Sequence, residues 1–334
     1  IGNKIKVPTS KSTWSIVGNK VLSVNSPVTL EWNNGSNLLF RKKIEIDDNY
    51  LFKINQEVEN NSSEQVELYP YAQLTRKNIP EDLKGFYILH EGFIAVLDEE
   101  LKEDDYDDIE EKKIVRVADK GWIGITDKYW MTALIPESGE KFKSTFLYQN
   151  AYKANFLLNN PKVIAPSGKA NNEIKIFVAA KEVQTIDAYA EKENIEKLDL
   201  IIDWGWFYFF TKPLFFAVDY LFKLTGNFGI AIVLITIMIR LVFFPLANYS
   251  FKSMAKMKAL QPEMARLKDL HKDDKTKLQQ SIMALYKKEQ INPASGCLPV
   301  LIQIPFFFAI YKMLFISLEM RHQPFFGWIK DLSA

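Results

Sequence analysis

Cysteine and histidine are scarce in this chain of 334 residues. It contains one cysteine, Cys297, and three histidines. A single cysteine excludes an intrachain disulfide, so an exported domain in this chain would be held together by its core alone. The histidines, His90, His271 and His322, fall in three separate segments and do not predict a shared metal site.

The sequence also lacks the short motifs of covalent catalysis. It has no HExxH, no GxSxG, no P-loop glycine motif, no cysteine pair and no Rossmann fingerprint. Aspartate and glutamate are absent from its two long apolar runs as well. We therefore predict a protein that is not an enzyme and that needs no cofactor and no metal.

Two apolar runs, Phe228–Asn248 and Leu298–Leu318, dominate the second half of the chain. Each is long enough to cross the ~30 Å hydrocarbon core of a bilayer as a helix. The segment between them, Tyr249–Cys297, holds ten lysines and arginines against five acidic residues. Short loops rich in Lys and Arg stay in the cytoplasm. The pattern predicts a cytoplasmic segment 249–297, with Cys297 at the membrane boundary and residues 1–227 outside.

A domain on the outer face needs an export signal or an earlier membrane span. Neither precedes Ile1, which lacks a basic-then-apolar leader. The chain also stops at Ala334, shortly after its second apolar run. We therefore expect this sequence to be a fragment of a longer membrane protein.

Residues 1–197 are patterned as β-structure. Alternating segments follow one another without intervening helices, which favours an antiparallel sandwich over βαβ units. Turn residues at Asn33–Gly35 and Asp47–Asn49 predict hairpins. The predicted strands are Val28–Trp32, Phe40–Ile46, Tyr50–Val58, Gln65–Thr75, Ile114–Val117, Trp130–Ile135, Phe142–Leu147 and Glu173–Ala180.

Two features of the β-region have a functional alternative. Ten acidic residues lie between Asp98 and Glu111, but a calcium loop needs alternating oxygen ligands and a glycine at its sharp turn. We therefore predict a solvated loop there. Four tryptophans could line a sugar-binding face, although core or sheet-face packing is the commoner role. They are Trp14, Trp32, Trp122 and Trp130.

Helical patterning begins at Glu182–Lys197. It continues in Trp204–Leu224, which is apolar and rich in aromatic residues. Pro213 lacks a backbone donor and should break a spanning helix, and aromatic side chains favour the headgroup level. We predict an amphipathic helix lying in the outer interface.

The basic segment predicts a helical hairpin. Its first helix, Tyr249–Leu270, carries Met254, Met257 and Met264 on one stripe, with Lys256 on the same helix. A second stripe, Leu278–Tyr286, follows a polar turn, and Asn292, Pro293 and Gly296 end the hairpin. The stripes either hold the two helices together or offer adaptable methionines to apolar partners, and both hypotheses stay open.

Arg240 is the one charge inside the first apolar run. An arginine at that depth costs roughly 2.5–3.5 kcal/mol on insertion scales. Thr236 and Phe244 share its helical face. Without a carboxylate at this depth, Arg240 needs water or polar groups inside a helix bundle. The pattern predicts a hydrated cavity, open toward the cytoplasm, that attracts acidic or polar segments of another chain.

The second run contains Gln303, Pro305 and Lys312. Pro305 should kink the helix. Lys312 is near enough to the outer end to reach the interface. Gln303 is deeper, and it either bonds a neighbouring helix or lines a polar cavity.

Four stretches carry a specific resemblance. GIAIVLITIMIRLVFFPLANYSFKSMAKMKALQPEMARLK and SIMALYKKEQINPASGCLPVLIQIPFFFAIYKML resemble the YidC/Oxa/Alb family of membrane protein insertases. KGWIGITDKYWMTALIP and DWGWFYFFTKPLF resemble its Gram-negative bacterial form with a large periplasmic domain. The likeness covers nearly the whole chain and is strongest from about Trp122 onward.

The resemblance implies a core of five membrane helices and an additional N-terminal helix, of which this chain supplies two. It implies insertion and folding of inner-membrane proteins through a hydrophilic groove, alone or with the Sec translocon. Expected partners are nascent membrane proteins, the lipid bilayer and, through the hairpin, the ribosome. The implied domains are a periplasmic β-supersandwich (1–197), a linker with interfacial helix (198–227), membrane helices at 228–248 and 298–318, the cytoplasmic hairpin (249–297) and a periplasmic segment (319–334).

The resemblance also assigns roles to residues. The positive groove residue falls on Arg240, and other groove positions fall on Thr236, Gln303 and Phe244. At the position of Phe244 many members have tyrosine. Lys312 replaces a more usual apolar or aromatic residue. The client-guiding apolar face falls on Leu301, Ile304 and Phe307, and the hairpin contact on Met254, Met257, Met264 and Lys256.

Two other functions remain open from the residues themselves. One is a transporter or channel that uses Arg240 as an anion site. The other is a ligand-binding exported β-domain on a passive membrane anchor.

Overall fold

The structure is a computed structural model that describes residues 5–80, 83, 89–272, 274–289, 292 and 298–333. The chain divides into two compact units, Ile1–Asp203 and Trp204–Ala334. Pro293, Gly296 and Cys297, where the sequence predicts the end of the hairpin and the membrane boundary, lie outside the described residues.

The first unit is built mainly from antiparallel β-strands, as predicted. Its largest sheet has the strand order β1-β2-β3-β4-β15-β11-β10-β7-β8, a second sheet has the order β6-β13-β12-β9, and β14 pairs with β5. The strands are β1 (Ser15–Val17), β2 (Val28–Asn33), β3 (Leu38–Ile46), β4 (Leu51–Asn60), β5 (Val66–Leu68), β6 (Tyr71–Arg76), β7 (Gly92–Leu97), β8 (Glu100–Asp104), β9 (Ile114–Ala118), β10 (Gly121–Thr126), β11 (Trp130–Ile135), β12 (Phe142–Tyr148), β13 (Tyr152–Leu158), β14 (Lys162–Ile164) and β15 (Lys169–Ala180).

Short polar side chains make the predicted hairpins. The Asn34 side chain accepts from the backbone of Ser36 and Leu38, at 2.7 and 3.0 Å, between β2 and β3. Asp47 accepts from Asn49 and Leu51, at 3.1 and 2.9 Å, between β3 and β4. These bonds replace the ladder where the chain reverses.

The main core lies between the four-stranded sheet and the β7-β10-β11 part of the larger sheet. Phe93, Phe146 and Phe156 are fully buried there. The rings of Phe93 and Phe146 lie 4.9 Å apart. Such pairs add to the stabilisation from apolar burial.

The acidic run from Asp98 to Glu111 is not a loop, so that prediction is wrong. It forms β8 and a helix, α1 (Tyr106–Glu111). Tyr106 and Ile109 are buried in the main core, and Arg116 holds buried Asp104 through two bonds of 2.5 and 2.7 Å. The burial of Tyr106 and Ile109 and the pairing of Asp104 with Arg116 therefore stabilise this ordered structure despite the negative charge of the run.

Two other boundaries in the first unit differ from the prediction. The single strand predicted over Gln65–Thr75 is two strands, β5 and β6, because the chain changes sheets at Tyr69 and Pro70. The helix predicted over Glu182–Lys197 ends early. It spans α2 (Val183–Lys192), and a short 3-10 helix follows at Leu198–Ile201 after Lys197 takes a left-handed conformation at φ 52°.

The second unit is helical. Its helices are α3 (Tyr208–Thr225), α4 (Phe228–Ala259), α5 (Gln261–Leu270), α6 (Lys275–Lys288) and α7 (Leu298–Ile316). Among the described residues, α4 and α7 are the two helices long and apolar enough to cross a membrane. α3 lies outside that class.

Pro213 does not break α3, which corrects the prediction. The helix runs through it for 18 residues. Thr211, Phe215 and Val218 are buried on one side, and this packing retains the helix although proline removes one backbone bond. The opposite side exposes aromatic residues, including Phe209 and Tyr220.

The first hairpin helix is also placed differently from the prediction. Tyr249–Leu270 is not one helix, because α4 continues for 32 residues to Ala259 and α5 begins at Gln261. Pro262 is the second residue of α5, where a proline fits because the first turn of a helix leaves its N–H groups unpaired. Helix α6 agrees with the second predicted helix.

The segment after α7 folds onto the start of α4. The Asn227 side chain caps α4 by accepting from the Ile230 backbone at 3.1 Å and donates to the Phe325 carbonyl at 3.2 Å. The Phe325 ring lies where a side chain on Gly229 would be. The beginning of α4 is therefore closed by this segment.

Candidate functional site

Arg240 lies within the apolar part of α4. It is twelve residues beyond Phe228, which corresponds to roughly 18 Å along the helix axis. The side chain is exposed, and in the described part of the chain no carboxylate pairs with it and no hydrogen bond is formed. The guanidinium is therefore available to a group from outside these residues.

Thr236 and Phe244 flank Arg240 on the same side of α4, one turn to either side. The Thr236 hydroxyl donates to the Ile232 carbonyl at 2.7 Å, so it offers only an acceptor to another molecule. Phe244 is 63% exposed. The predicted groove residues of α4 thus form one strip with a single cation at its centre.

Helix α7 exposes the three residues predicted to guide a client. Leu301, Ile304 and Phe307 are all exposed. Gln303 is half-buried, and no hydrogen bond joins it to any described residue. The first of its two predicted roles, a bond to a neighbouring helix, is therefore not formed within the described residues.

Aromatic rings pack α7 against its neighbours. Phe306 contacts Phe243 of α4 at a centroid distance of 4.9 Å and Phe210 of α3 at 4.7 Å. Phe243 is adjacent to Phe244 in the chain, and Phe306 is three residues after Gln303. This packing brings α4 and α7 side by side, but no hydrogen bond joins Arg240 or Thr236 to Gln303 among the described residues.

The predicted hairpin residues lie on two helices. Met254, Lys256 and Met257 belong to α4 and Met264 belongs to α5. The Tyr286 hydroxyl of α6 donates to the Met264 sulfur at 3.2 Å, which supports the hypothesis that the stripes hold the helices together. Met254 is exposed, so the second hypothesis, an adaptable surface, also remains open.

Lys312 and two tryptophans mark one end of the helices. The stem of Lys312 packs against Gly205, and Trp206 and Trp328 are 96% and 89% exposed. Trp328 is not among the residues that the sequence predicts to be functional. The signal for it was a tryptophan shortly after an apolar run, a position typical of the headgroup level.

No group of three or more His, Cys, Asp or Glu side chains in the described residues could hold a metal ion. In the second unit, the apolar part of α4 offers one cation, Arg240, beside the apolar faces of α4 and α7. A molecule that binds here contacts Arg240 electrostatically and the helix faces through hydrophobic packing.

A β-sandwich unit followed by two apolar helices of membrane-spanning length defines the class: a membrane protein with a large folded β-domain. The chain belongs to the YidC family. The family model for the YidC periplasmic domain matches residues 1–217, and the model for the 60Kd inner membrane protein matches residues 220–334. The resemblance drawn from the motifs is thereby confirmed.

Relatives match along the chain. The membrane protein insertase YidC of Pelagibacter ubique is 55% identical over 329 residues, covering 98% of this chain and 59% of the relative. The YidC insertase of Brucella melitensis is 46% identical over 334 residues, covering 98% and 55%. The chain thus spans somewhat more than half the length of these relatives.

One solved structure shows a distant likeness. The α-galactosidase AgaA of Geobacillus stearothermophilus matches 50% of this chain and 27% of its own, at 9% identity and a TM-score of 0.36. A likeness this weak bears on neither fold nor function.

Proposed function

We propose that the protein is a membrane protein insertase and chaperone that inserts and folds inner-membrane proteins. Relatives of this family carry the name insertase. The observation that carries the proposal is Arg240, which is exposed within an apolar helix and pairs with no carboxylate among the described residues. The activity requires no nucleotide, no metal and no covalent step.

Arg240 transiently holds the acidic or polar leading segment of a client. Thr236, Gln303 and Phe244 line the same hydrated groove. A charge in a site of low dielectric constant attracts an opposite charge more strongly than it does in water. The polar segment therefore meets a lower desolvation cost than it would in bare lipid.

The apolar span of the client then moves along α7 into the bilayer. Leu301, Ile304 and Phe307 are exposed and present an apolar surface to it. Because this surface and a lipid tail are equally apolar, the client can leave it for the lipid at little cost.

The proposed topology follows the basic segment. Segment 249–297 is cytoplasmic, the helices at 228–248 and 298–318 cross the inner membrane, and segment 319–334 is periplasmic. The β-unit, 1–197, is periplasmic, and the linker and helix in 198–227 lie at the outer interface. The exposed aromatic residues of α3 support that placement.

The hairpin receives clients and contacts the ribosome, through Met254, Met257, Met264 and Lys256. Exposed methionines adapt to different apolar segments, and Met254 is exposed. Lysines of the same segment offer charge to ribosomal RNA. The insertase works alone on small clients and with the Sec translocon on others.

Reversal of the groove charge tests the proposal. In vesicles reconstituted with the complete protein, Arg240→Glu should slow Sec-independent insertion of a small client with an acidic translocated tail, because the like charges repel. Arg240→Lys, which keeps the charge, should retain most of the insertion rate. Insertion is measured as the protease-protected fraction of the client over time.

Three outcomes would contradict the proposal. A wild-type insertion rate for Arg240→Glu would remove Arg240 from the mechanism. Uptake of a small anion that depends on Arg240 would indicate a transporter or channel. Loss of insertion on deletion of most of residues 1–197, with the helices intact, would indicate that the β-unit carries the activity.

A further inference from the structure

The segment after α7 contains a tight turn that the proposed insertion mechanism does not use. The Ile329 backbone N–H donates to the Phe326 carbonyl at 3.2 Å, and the Phe325 backbone N–H donates to the Ile329 carbonyl at 3.0 Å. Between them, Gly327 lies in the left-handed region at φ 62°, which favours glycine. We call residues 325–330 the aromatic turn.

Contacts on either side of the aromatic turn hold its base together. The Leu332 backbone N–H donates to the Gln323 carbonyl at 2.9 Å. Nδ1 of His322 lies 2.8 Å from a carboxylate oxygen of Asp331. Because the base is fixed by these bonds, the aromatic turn can meet another surface without paying to order its backbone.

The side chains of the aromatic turn point into open space. Trp328 and Phe326 are 89% and 60% exposed, and Ile329 is exposed beside them. Lys330 is exposed too, and no carboxylate of the described residues pairs with it. Apolar side chains grouped in this way mark a surface that another molecule covers. That molecule must offer an apolar layer and, close to it, a place for a positive charge.

The aromatic turn is attached to the start of α4, a helix long and apolar enough to cross a membrane. The Asn227 side chain donates to the Phe325 carbonyl at 3.2 Å, and the Phe325 ring lies against Gly229. Both contacts are within two residues of Phe228, where α4 begins. The aromatic turn therefore lies at the level where α4 would enter the bilayer.

A second exposed tryptophan marks the same end of the helices. The stem of Lys312, near the end of α7, packs against Gly205, and the next residue, Trp206, is exposed. The end of α7 and the start of α4 share one side, since the segment after α7 closes the start of α4. Tryptophans at one end of membrane-spanning helices are typical of the headgroup level.

We propose that the aromatic turn is a membrane anchor whose rings insert into the leaflet that surrounds the start of α4. The rings of Phe326 and Trp328 contact the boundary between headgroups and acyl chains, which aromatic side chains favour. The long stem of Lys330 lets its ammonium stay in the headgroup layer, so this charge does not oppose insertion. In the proposed topology, on which this assignment rests, the leaflet is the periplasmic one.

A lipid surface fits the aromatic turn better than a protein partner does. A partner would need one groove for two rings and a carboxylate for Lys330. The bilayer around α4 already supplies an apolar layer and phosphate groups at this level. No further molecule is needed to cover the turn.

A fluorophore in the aromatic turn tests this assignment. Phe326→Cys, labelled with the fluorophore NBD, is placed in the complete protein without its other cysteines, in nanodiscs of phosphatidylcholine. Asp48→Cys, exposed between β3 and β4, reports water, and Val242→Cys of α4 reports lipid. Iodide in the buffer should quench the label at 326 several-fold less than the label at 48. Nitroxide lipids labelled near the headgroup should quench position 326 more than position 242.

Matched variants of the aromatic turn separate insertion of the rings from charge. Trp328→Asp should expose the label at 326 to iodide, because a carboxylate does not enter an apolar layer without a large cost. The ring of Trp328 is almost fully exposed, so this substitution leaves the fold intact. Lys330→Gln changes the charge of the turn but not its apolar surface, and it should leave the quenching unchanged.

Three results would overturn the assignment. Equal iodide quenching at positions 326 and 48 would place the aromatic turn in water. Protection from both iodide and nitroxide lipids would mean that a protein surface covers it. Protection that persists in Trp328→Asp would mean that the Trp328 ring does not insert. None of these measurements involves client insertion or Arg240, so a failure here is distinguishable from a failure of the proposed function.

Discussion

At the residue scale, Gly229 occupies a position in α4 that no side chain fits. A Cβ placed there would be 2.2 Å from Cδ2 and 2.8 Å from Cγ of the Phe325 ring. Both are closer than any real carbon contact, so the whole ring must move. We expect Gly229→Ala to destabilise the closed start of α4 by about 1–3 kcal/mol, as overpacking does elsewhere.

Protease sensitivity of the segment around Phe325 measures this effect. In Gly229→Ala the segment should be cleaved faster than in the wild type. The double variant Gly229→Ala with Phe325→Ala removes the clash. In the Phe325→Ala background, Gly229→Ala should therefore cause no further loss of stability from overpacking. If the single variant resists cleavage like the wild type, the contact with Phe325 does not close the helix.

Single residues also show what the sequence can reveal about the site. Arg240 was identifiable because one charge in an apolar run is conspicuous. The contacts of Thr236 and Gln303 were not identifiable, because the same sequence pattern allows a polar side chain to hydrogen-bond its own helix or a neighbouring helix.

At the element scale, Glu193 fastens the end of α2 to the large sheet. Its carboxylate bonds Lys53 of β4 at 3.0 Å and Lys175 of β15 at 2.8 Å, and its side chain is 8% exposed. We expect Glu193→Gln to lower the stability of the first unit by about 1–3 kcal/mol, because two partly buried ammonium groups lose their partner. Thermal unfolding followed by circular dichroism measures the change.

An exposed ion pair of the same unit is the control for this prediction. Glu45 pairs with Lys43 at 2.6 Å, but both side chains are about half exposed. Glu45→Gln should therefore change stability by less than about 1 kcal/mol. Equal effects of the two substitutions would contradict the role of Glu193.

The Glu193 ion pairs also predict a pH dependence. Burial acts to raise the pKa of Glu193, but the hydrogen bonds and charges of Lys175 and Lys53 outweigh it and hold the pKa below its ordinary value. A carboxylate that is more acidic in the folded state stabilises the protein above its unfolded pKa, roughly 4.3. This contribution should disappear as the pH falls below about 4, and it should be missing from Glu193→Gln at every pH.

Helix α4 makes a second prediction at this scale. It continues past Asn248, where hydropathy changes, to Ala259. Amide hydrogen exchange should show protection that extends across residues 248–258 and weakens at Leu260. A protected segment that ends at Asn248 and resumes one turn later would contradict the continuous helix.

Strands β7 and β10 are absent from the strands that the sequence predicts. Both are almost fully buried, so they lack the alternation by which strands are recognised. Beyond Asn248 the sequence of α4 becomes polar, which suggests a separate helix, although the backbone hydrogen bonds of α4 continue. Strand pairing and side-chain packing decide these boundaries, and the local sequence does not specify them.

At the scale of the whole molecule, fold class and family could be predicted because they depend on long patterns. Alternation without helices gave the β-sandwich, and two apolar runs around a basic segment gave the membrane part. The position of the proposed groove in the membrane depends on all the helices around α4. Whether water reaches the groove can be tested directly.

Labelling with a water-soluble maleimide measures whether the groove is hydrated. Cys297→Ser first removes the one native cysteine. In the complete protein in membranes, Thr236→Cys and Gln303→Cys should then be labelled, because a lone guanidinium at this depth requires water. Val242→Cys on α4, which is 76% exposed and lies away from the Thr236–Arg240 face, should face lipid and stay unlabelled. Equal protection of all three positions would mean that Arg240 lies in a dry environment, and an insertion groove could not form there.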